Sequence, residues 1–228
     1  MADPWATIAA ALIGAGLGSF GTKVYENLSR KRTEREELRR EVVERYLLQL
    51  QDGVDDLWYR LDNLKNRGGQ TVMAYEYFEI STLYTLGRVL AYERIFLLDG
   101  IYPQLERLYP GAGIALRTNL RNLDQQLNQR NFHRYDRLAL AESVLERVDG
   151  YLHTNTYLEF KQRYTAENSL ERASLALARQ YIAALTEKEL SELLISLREI
   201  AHQVADRTGL PSAIKSLTRT PPSDGTGR

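Results

Sequence analysis

Apolar residues recur at spacings of three and four along most of the chain, which is the period of an amphipathic α-helix. The clearest example is one continuous seam that consists of Leu38, Val42, Tyr46, Leu50, Val54, Leu57, Leu61 and Leu64. Gly68 and Gly69 follow this seam, and glycine commonly ends a helix. The pattern therefore predicts one long helix that ends near Asn66.

Residues 73–99 form the most apolar stretch of the body of the chain, with apolar positions on all sides of the predicted helix. A helix of this kind is typical of the centre of a bundle. Arg88, Glu93 and Arg94 interrupt the apolar run, and charged side chains in such surroundings need partners. These three residues are therefore a candidate buried polar network. A ligand-binding or catalytic carboxylate would show the same pattern, which we consider the less favoured interpretation.

Further amphipathic patterns predict helices over residues 116–127, 138–152, 170–185 and 190–204, with a short helix between Tyr102 and Tyr109. Thr186 and Glu189 have the spacing of a capping box, which begins the last of these helices. We find no alternating strand pattern and no Asn-Gly hairpin signal. The fold class that these patterns predict is all-α.

The N-terminal segment differs from the rest because residues 4–21 contain no charged side chain. A run of this length is at the lower limit for crossing a bilayer. Trp5 and Tyr25 flank it in the manner of the aromatic side chains at membrane interfaces. We interpret the segment as a transmembrane helix that continues into the long helix. A small-residue helix buried in a soluble bundle and a processed leader are the alternatives.

Basic residues follow this segment and none precedes it. Lys23, Arg30, Lys31 and Arg32 are expected to contact lipid headgroups and to set the orientation. The positive-inside rule then predicts a single-pass protein of the cell membrane, with its N-terminus outside and a cytoplasmic multi-helix bundle.

Small residues recur every four positions within the predicted span, at Ala6, Ala10, Gly14 and Gly18. This spacing places them on one helix face, and Gly-x-x-x-Gly allows two helix backbones to approach closely in lipid. The pattern predicts helix packing with a second copy of the chain or with another membrane protein, so an oligomer is expected.

The composition excludes several classes of function. The chain has 228 residues with 30 basic and 30 acidic side chains, so it lacks the basic character of a nucleic-acid-binding protein. It has no cysteine and three histidines, which excludes thiolate chemistry and leaves little for metal binding. Glu199 and His202 have a metal-ligand spacing, but a second copy of that motif is missing. No catalytic or cofactor-binding motif occurs, so we predict neither an enzyme nor a cofactor.

These patterns divide the chain into four parts: an anchor at 1–25, a long charged-to-amphipathic helix at 26–66, a helical bundle at 67–209 and a disordered tail at 210–228. The function they favour is a membrane-anchored interaction or scaffold protein whose partners are membrane lipid and other membrane helices. A subunit of an oligomeric membrane pore or transport complex is one alternative. A ligand-sensing or enzymatic helical bundle is the other.

Overall fold

The computed structural model describes residues 28–67, 76–128, 132–167 and 169–214. The described part is mostly helical, which confirms the predicted helical bundle. The chain divides into two units, Met1–Glu41 and Val42–Arg228, each of which is described separately below.

In the first unit, residues 28–41 are helical, and their side chains are exposed apart from Leu38, which is half-buried. Arg30 donates to Glu34 one turn later at 2.8 Å, as expected for a charged surface helix. Arg30, Lys31 and Arg32 are all exposed here. The other residues of the predicted anchor lie outside the described part of the chain, namely Trp5, Ala6, Ala10, Gly14, Gly18, Lys23 and Tyr25. No helix within the described ranges has both the length and the apolar character that crossing a membrane requires.

The second unit begins with a π-helical segment, Val42–Leu47. The elements that follow are α1 (Leu48–Arg67), α2 (Glu76–Leu98), α3 (Ile101–Leu108), α4 (Ala112–Asn128), α5 (Arg134–Ser143), β1 (Leu145–Val148), β2 (Tyr151–Thr154), α6 (Tyr157–Thr165), α7 (Leu170–Ser174), α8 (Ala176–Ala183) and α9 (Glu187–Thr208). Helix α2 lies at the centre and packs against α1, α3 and α5, while α9 packs against α1 and α4.

The core follows the helical periodicity of the sequence. The predicted seam from Val42 to Leu64 is buried at every position, and the apolar faces of α4 and α9 are buried as well. Burial of this many apolar side chains is the main term that stabilises such a bundle. The capping box of α9 is also confirmed, because Thr186 and Glu189 each accept a hydrogen bond from the other's backbone N–H.

A β-hairpin replaces the second half of one predicted helix. Helix α5 ends at Ser143, and β1 pairs with β2 in an antiparallel register that sets Val148 opposite Tyr151. The helix predicted over 138–152 is therefore wrong beyond residue 143. The reason is the Asp149-Gly150 turn, whose two residues have φ values of 51° and 86°. Positive φ at both central positions is what a type I′ hairpin turn requires, and a helix cannot accommodate it.

The chain after α9 remains packed for several residues. Asp55 on α1 accepts hydrogen bonds from the Ser212 hydroxyl at 2.8 Å and from the Ala213 N–H at 3.0 Å. Ile214 is fully buried. Residues 212–214, which the sequence assigned to the disordered tail, thus belong to the packed part of the chain.

Candidate functional site

A cavity of about 560 Å³ lies between α2, α4 and α5, with Tyr102 of α3 in its lining. Its volume falls within the range of about 300–1,000 Å³ that is usual for small-molecule sites. Charged side chains dominate the lining: the basic ones are Arg94, Arg117, Arg121, Arg134 and Arg137, and the acidic ones are Glu93 and Asp124. The partners of these side chains decide which charges are available to a ligand.

Arg137 is a structural part of the wall. Its guanidinium is buried, donates to both carboxylate oxygens of Asp124, and reaches Oδ1 of Asn128 at 3.3 Å. It also donates to the backbone carbonyl of Phe132. These bonds join α4 to α5 and use the donors of Arg137 together with the charge of Asp124.

The three charged residues that the sequence predicts to form a polar network on α2 have different surroundings. Arg88 forms an ion pair with Asp56 of α1 at 3.1 Å, and Arg94 forms one with Glu142 of α5 at 3.2 Å. Glu93 lines the cavity instead. The structure therefore places Arg88, Glu93 and Arg94 on one helix without joining them in a single network.

Glu93 is half-buried and forms neither a hydrogen bond nor an ion pair with any described residue. Burial raises the pKa of its carboxyl above the ordinary value, and the negative charge of Asp124 adds to this increase. The nearby positive charges of Arg137, Arg121 and Arg117 oppose it. Glu93 is thus a hydrogen-bond acceptor in the cavity to which no described residue donates.

Tyr102 also lines the cavity and carries a polar group without a described partner. Its side chain is buried, and its hydroxyl has no hydrogen-bond partner among the described residues. Burial, followed by the charge of Glu93, raises the pKa of this phenol, so it remains a neutral donor. Gly113 permits this placement of α3 on α4, because a Cβ there would lie 2.3 Å from the Tyr102 carbonyl oxygen.

Arg117, Arg121 and Arg134 supply positive charge that no ion pair neutralises within the described ranges. Arg117 also lies over the ring of Tyr102, 5.9 Å from its centroid. We did not identify these three residues from the sequence. The sequence does carry a signal for two of them. Arg117 and Arg121 are four positions apart, so they are neighbours on one helix face, where like charges repel each other.

The arrangement is suited to binding an anion. Guanidinium groups present planar pairs of donors that match carboxylate and phosphate oxygens. A metal site is not formed by the described residues, which contain no group of three histidine, aspartate or glutamate side chains able to hold one. No family model matches this chain, and neither a curated protein nor a solved structure is significantly similar to it.

Proposed function

We propose that the helical bundle is a ligand-sensing protein that binds a small anion in the arginine-lined cavity. The observation that carries this proposal is the convergence of Arg117, Arg121 and Arg134, all without ion pairs among the described residues, on a cavity that also contains the unpartnered Tyr102 hydroxyl. A buried polar group without a hydrogen bond costs about 1–3 kcal/mol. An anion whose oxygen reached this hydroxyl would accept its hydrogen bond and recover that free energy.

Electrostatics supports the same conclusion. Two of the arginines in the lining are neutralised by carboxylates, Arg94 by Glu142 and Arg137 by Asp124. Among the described residues of the lining, three arginines remain against one acid, Glu93. A concave surface with an excess of one charge concentrates ligands of the opposite charge.

The test is calorimetric titration of the full chain in detergent with inorganic phosphate. We expect saturable binding that weakens at least tenfold in the double variant Arg117→Gln/Arg121→Gln, because each lost charge-assisted hydrogen bond is worth about 1.5–3 kcal/mol. Arg107→Gln is the matched control, since Arg107 is an exposed arginine on α3 outside the cavity lining. Equal loss of affinity in the control and the double variant would contradict a site in the cavity.

We also propose that the chain is anchored in the cell membrane by one N-terminal helix, with the bundle on the cytoplasmic side. The uncharged run at 4–21 supports the anchor, and the exposed Arg30, Lys31 and Arg32 support the orientation. In this proposal the anchor holds the bundle near membrane partners and raises its effective concentration there. Packing through Ala6, Ala10, Gly14 and Gly18 would bring together copies of the chain or recruit another membrane protein.

Alkaline carbonate extraction of membranes tests the anchor. Full-length protein should stay in the membrane pellet, while a version that starts at Glu26 should be released and retain the helical signal in circular dichroism. Replacing Gly14 and Gly18 with leucine should weaken self-association without releasing the protein. Extraction of the full-length chain by carbonate would contradict the anchor and leave the proposed ligand site unaffected.

A further inference from the structure

The cavity contains a hydrogen-bond acceptor as well as donors. The acceptor restricts the class of ligand more than the positive charge of the cavity does. Glu93 lies in the same lining as Arg117 and Arg121 but pairs with neither of them. A bare anion would use the arginines and leave this carboxylate to water. A ligand that fills the cavity and satisfies its polar groups must therefore also carry a group that donates a hydrogen bond.

The surroundings of Glu93 favour a neutral donor over a cation. The positive charges of Arg121 and Arg117 act on Glu93, and they would repel an ammonium group placed beside it. Arg137 and Asp124 form an ion pair with each other, so their opposite charges largely cancel at this position. A hydroxyl group donates a hydrogen bond without bringing a charge.

The anionic group is better matched by a phosphate monoester than by a single carboxylate. Arg117, Arg121 and Arg134 together offer more donors than two carboxylate oxygens accept in planar pairs. A phosphate monoester presents three terminal oxygens and close to two negative charges at neutral pH. This better balances the excess of positive charge in the lining.

We infer that the ligand of this cavity is a hydroxylated phosphate monoester, with the phosphate held by Arg117, Arg121 and Arg134 and a ligand hydroxyl donating to Glu93. This inference rests on the proposed anion binding and adds the class of ligand to it. The Tyr102 hydroxyl donates to an oxygen of the same ligand.

Titration of the full chain in detergent with three phosphates separates the contributions of the ligand's phosphate, hydroxyl groups and carbon chain to the affinity. Glycerol 3-phosphate carries both phosphate and hydroxyls, propyl phosphate has the same carbon chain without hydroxyls, and inorganic phosphate has no carbon chain. We expect glycerol 3-phosphate to bind at least tenfold more tightly than propyl phosphate. Propyl phosphate should bind about as tightly as inorganic phosphate.

Variants of Glu93 test whether this carboxylate causes the preference for glycerol 3-phosphate over propyl phosphate. Glu93→Met removes both acceptor oxygens and a negative charge, so it should tighten propyl phosphate binding and reduce the ratio of the two ester affinities to below about threefold. Glu93→Gln keeps one acceptor oxygen and should give an intermediate ratio. Tyr102→Phe is a second test at another position, and it should weaken all three phosphates by a similar factor.

Each outcome decides a separate claim. Equal binding of the two esters by the unaltered chain would overturn the hydroxylated class while leaving anion binding in place. Absence of binding by all three phosphates would overturn the proposed function as well. A ratio that survives in Glu93→Met, with the fold verified by circular dichroism, would overturn the role of Glu93.

Discussion

Helix α2 carries two glutamates in opposite situations, Glu79 near its start and Glu93 near its end. Glu79 is buried and accepts a hydrogen bond from the Tyr164 hydroxyl at 2.7 Å. It also forms an ion pair with Arg179 at 3.0 Å. Glu93 lies in the cavity without either kind of partner in the described structure. One helix thus carries a carboxylate that has both a hydrogen bond and an ion pair, and another that has neither among the described residues.

The two tyrosines beside these glutamates repeat the contrast. The Tyr164 hydroxyl is bound to Glu79, whereas the Tyr102 hydroxyl is buried with no described partner. Buried polar groups in folded proteins are nearly always hydrogen-bonded. A satisfied pair therefore indicates a structural role, whereas the Tyr102 hydroxyl is a buried donor that no described residue satisfies.

The largest effect on stability is expected at Glu79, the glutamate that has described partners. Glu79→Ala should lower the free energy of unfolding by about 3 kcal/mol, because it leaves the Tyr164 hydroxyl buried without an acceptor and breaks the ion pair. For a domain of this size that corresponds to a decrease in Tm of about 6–12 °C. Thermal denaturation followed by circular dichroism measures it, with Glu79→Gln as the milder control. A change below 2 °C would show that the Glu79 contacts contribute little.

The tyrosines provide the next comparison. Tyr164→Phe should destabilise the bundle by about 1.5 kcal/mol, since a hydrogen bond to a charged group is lost. Tyr102→Phe removes a buried hydroxyl that has no described partner and should therefore raise the free energy of unfolding by about 1–3 kcal/mol. Urea unfolding of both variants measures the difference. Equal destabilisation would contradict the distinction between a tyrosine whose hydroxyl has a described partner and one whose hydroxyl has none.

The smallest effect is expected at Glu93 and depends on pH. Because its folded-state pKa is raised, its ionisation opposes folding, and stability falls as pH rises from the unfolded to the folded pKa. Glu93→Gln avoids this penalty and should raise the Tm by about 2 °C at pH 7. The gain should vanish below about pH 4, where the glutamate is protonated in both states. Scanning calorimetry at the two pH values checks this, and a lower Tm for the variant at pH 7 would contradict it.

Much of the fold follows from local sequence patterns. The seam of α1, the leucine faces of α4 and α9, and the Thr186–Glu189 capping box all use periods or spacings within a single helix. The helical prediction over 138–152 is wrong beyond residue 143, although these residues also fit a helical period. The Asp149-Gly150 dipeptide is the stronger local signal, because it favours a type I′ turn.

The candidate site was only partly visible in the sequence. Glu93 was singled out because a charge interrupts an apolar helix, and the structure places it in the cavity. Tyr102 and Arg134 lie on different helices from Glu93 and have no local signal that links them to it. Their convergence depends on how α3, α4 and α5 pack on α2, including the close approach at Gly113.

The sequence alone determined the helical class, the apolar faces and the unusual uncharged N-terminal run, because each depends on residues close together along the chain. The tertiary structure decided which charges are paired. Arg88, Glu93 and Arg94 are similar in sequence context, but only packing gives the two arginines carboxylate partners from other helices and leaves Glu93 in the cavity. An ion pair depends on distances of a few ångströms between distant parts of the chain, which no local pattern specifies.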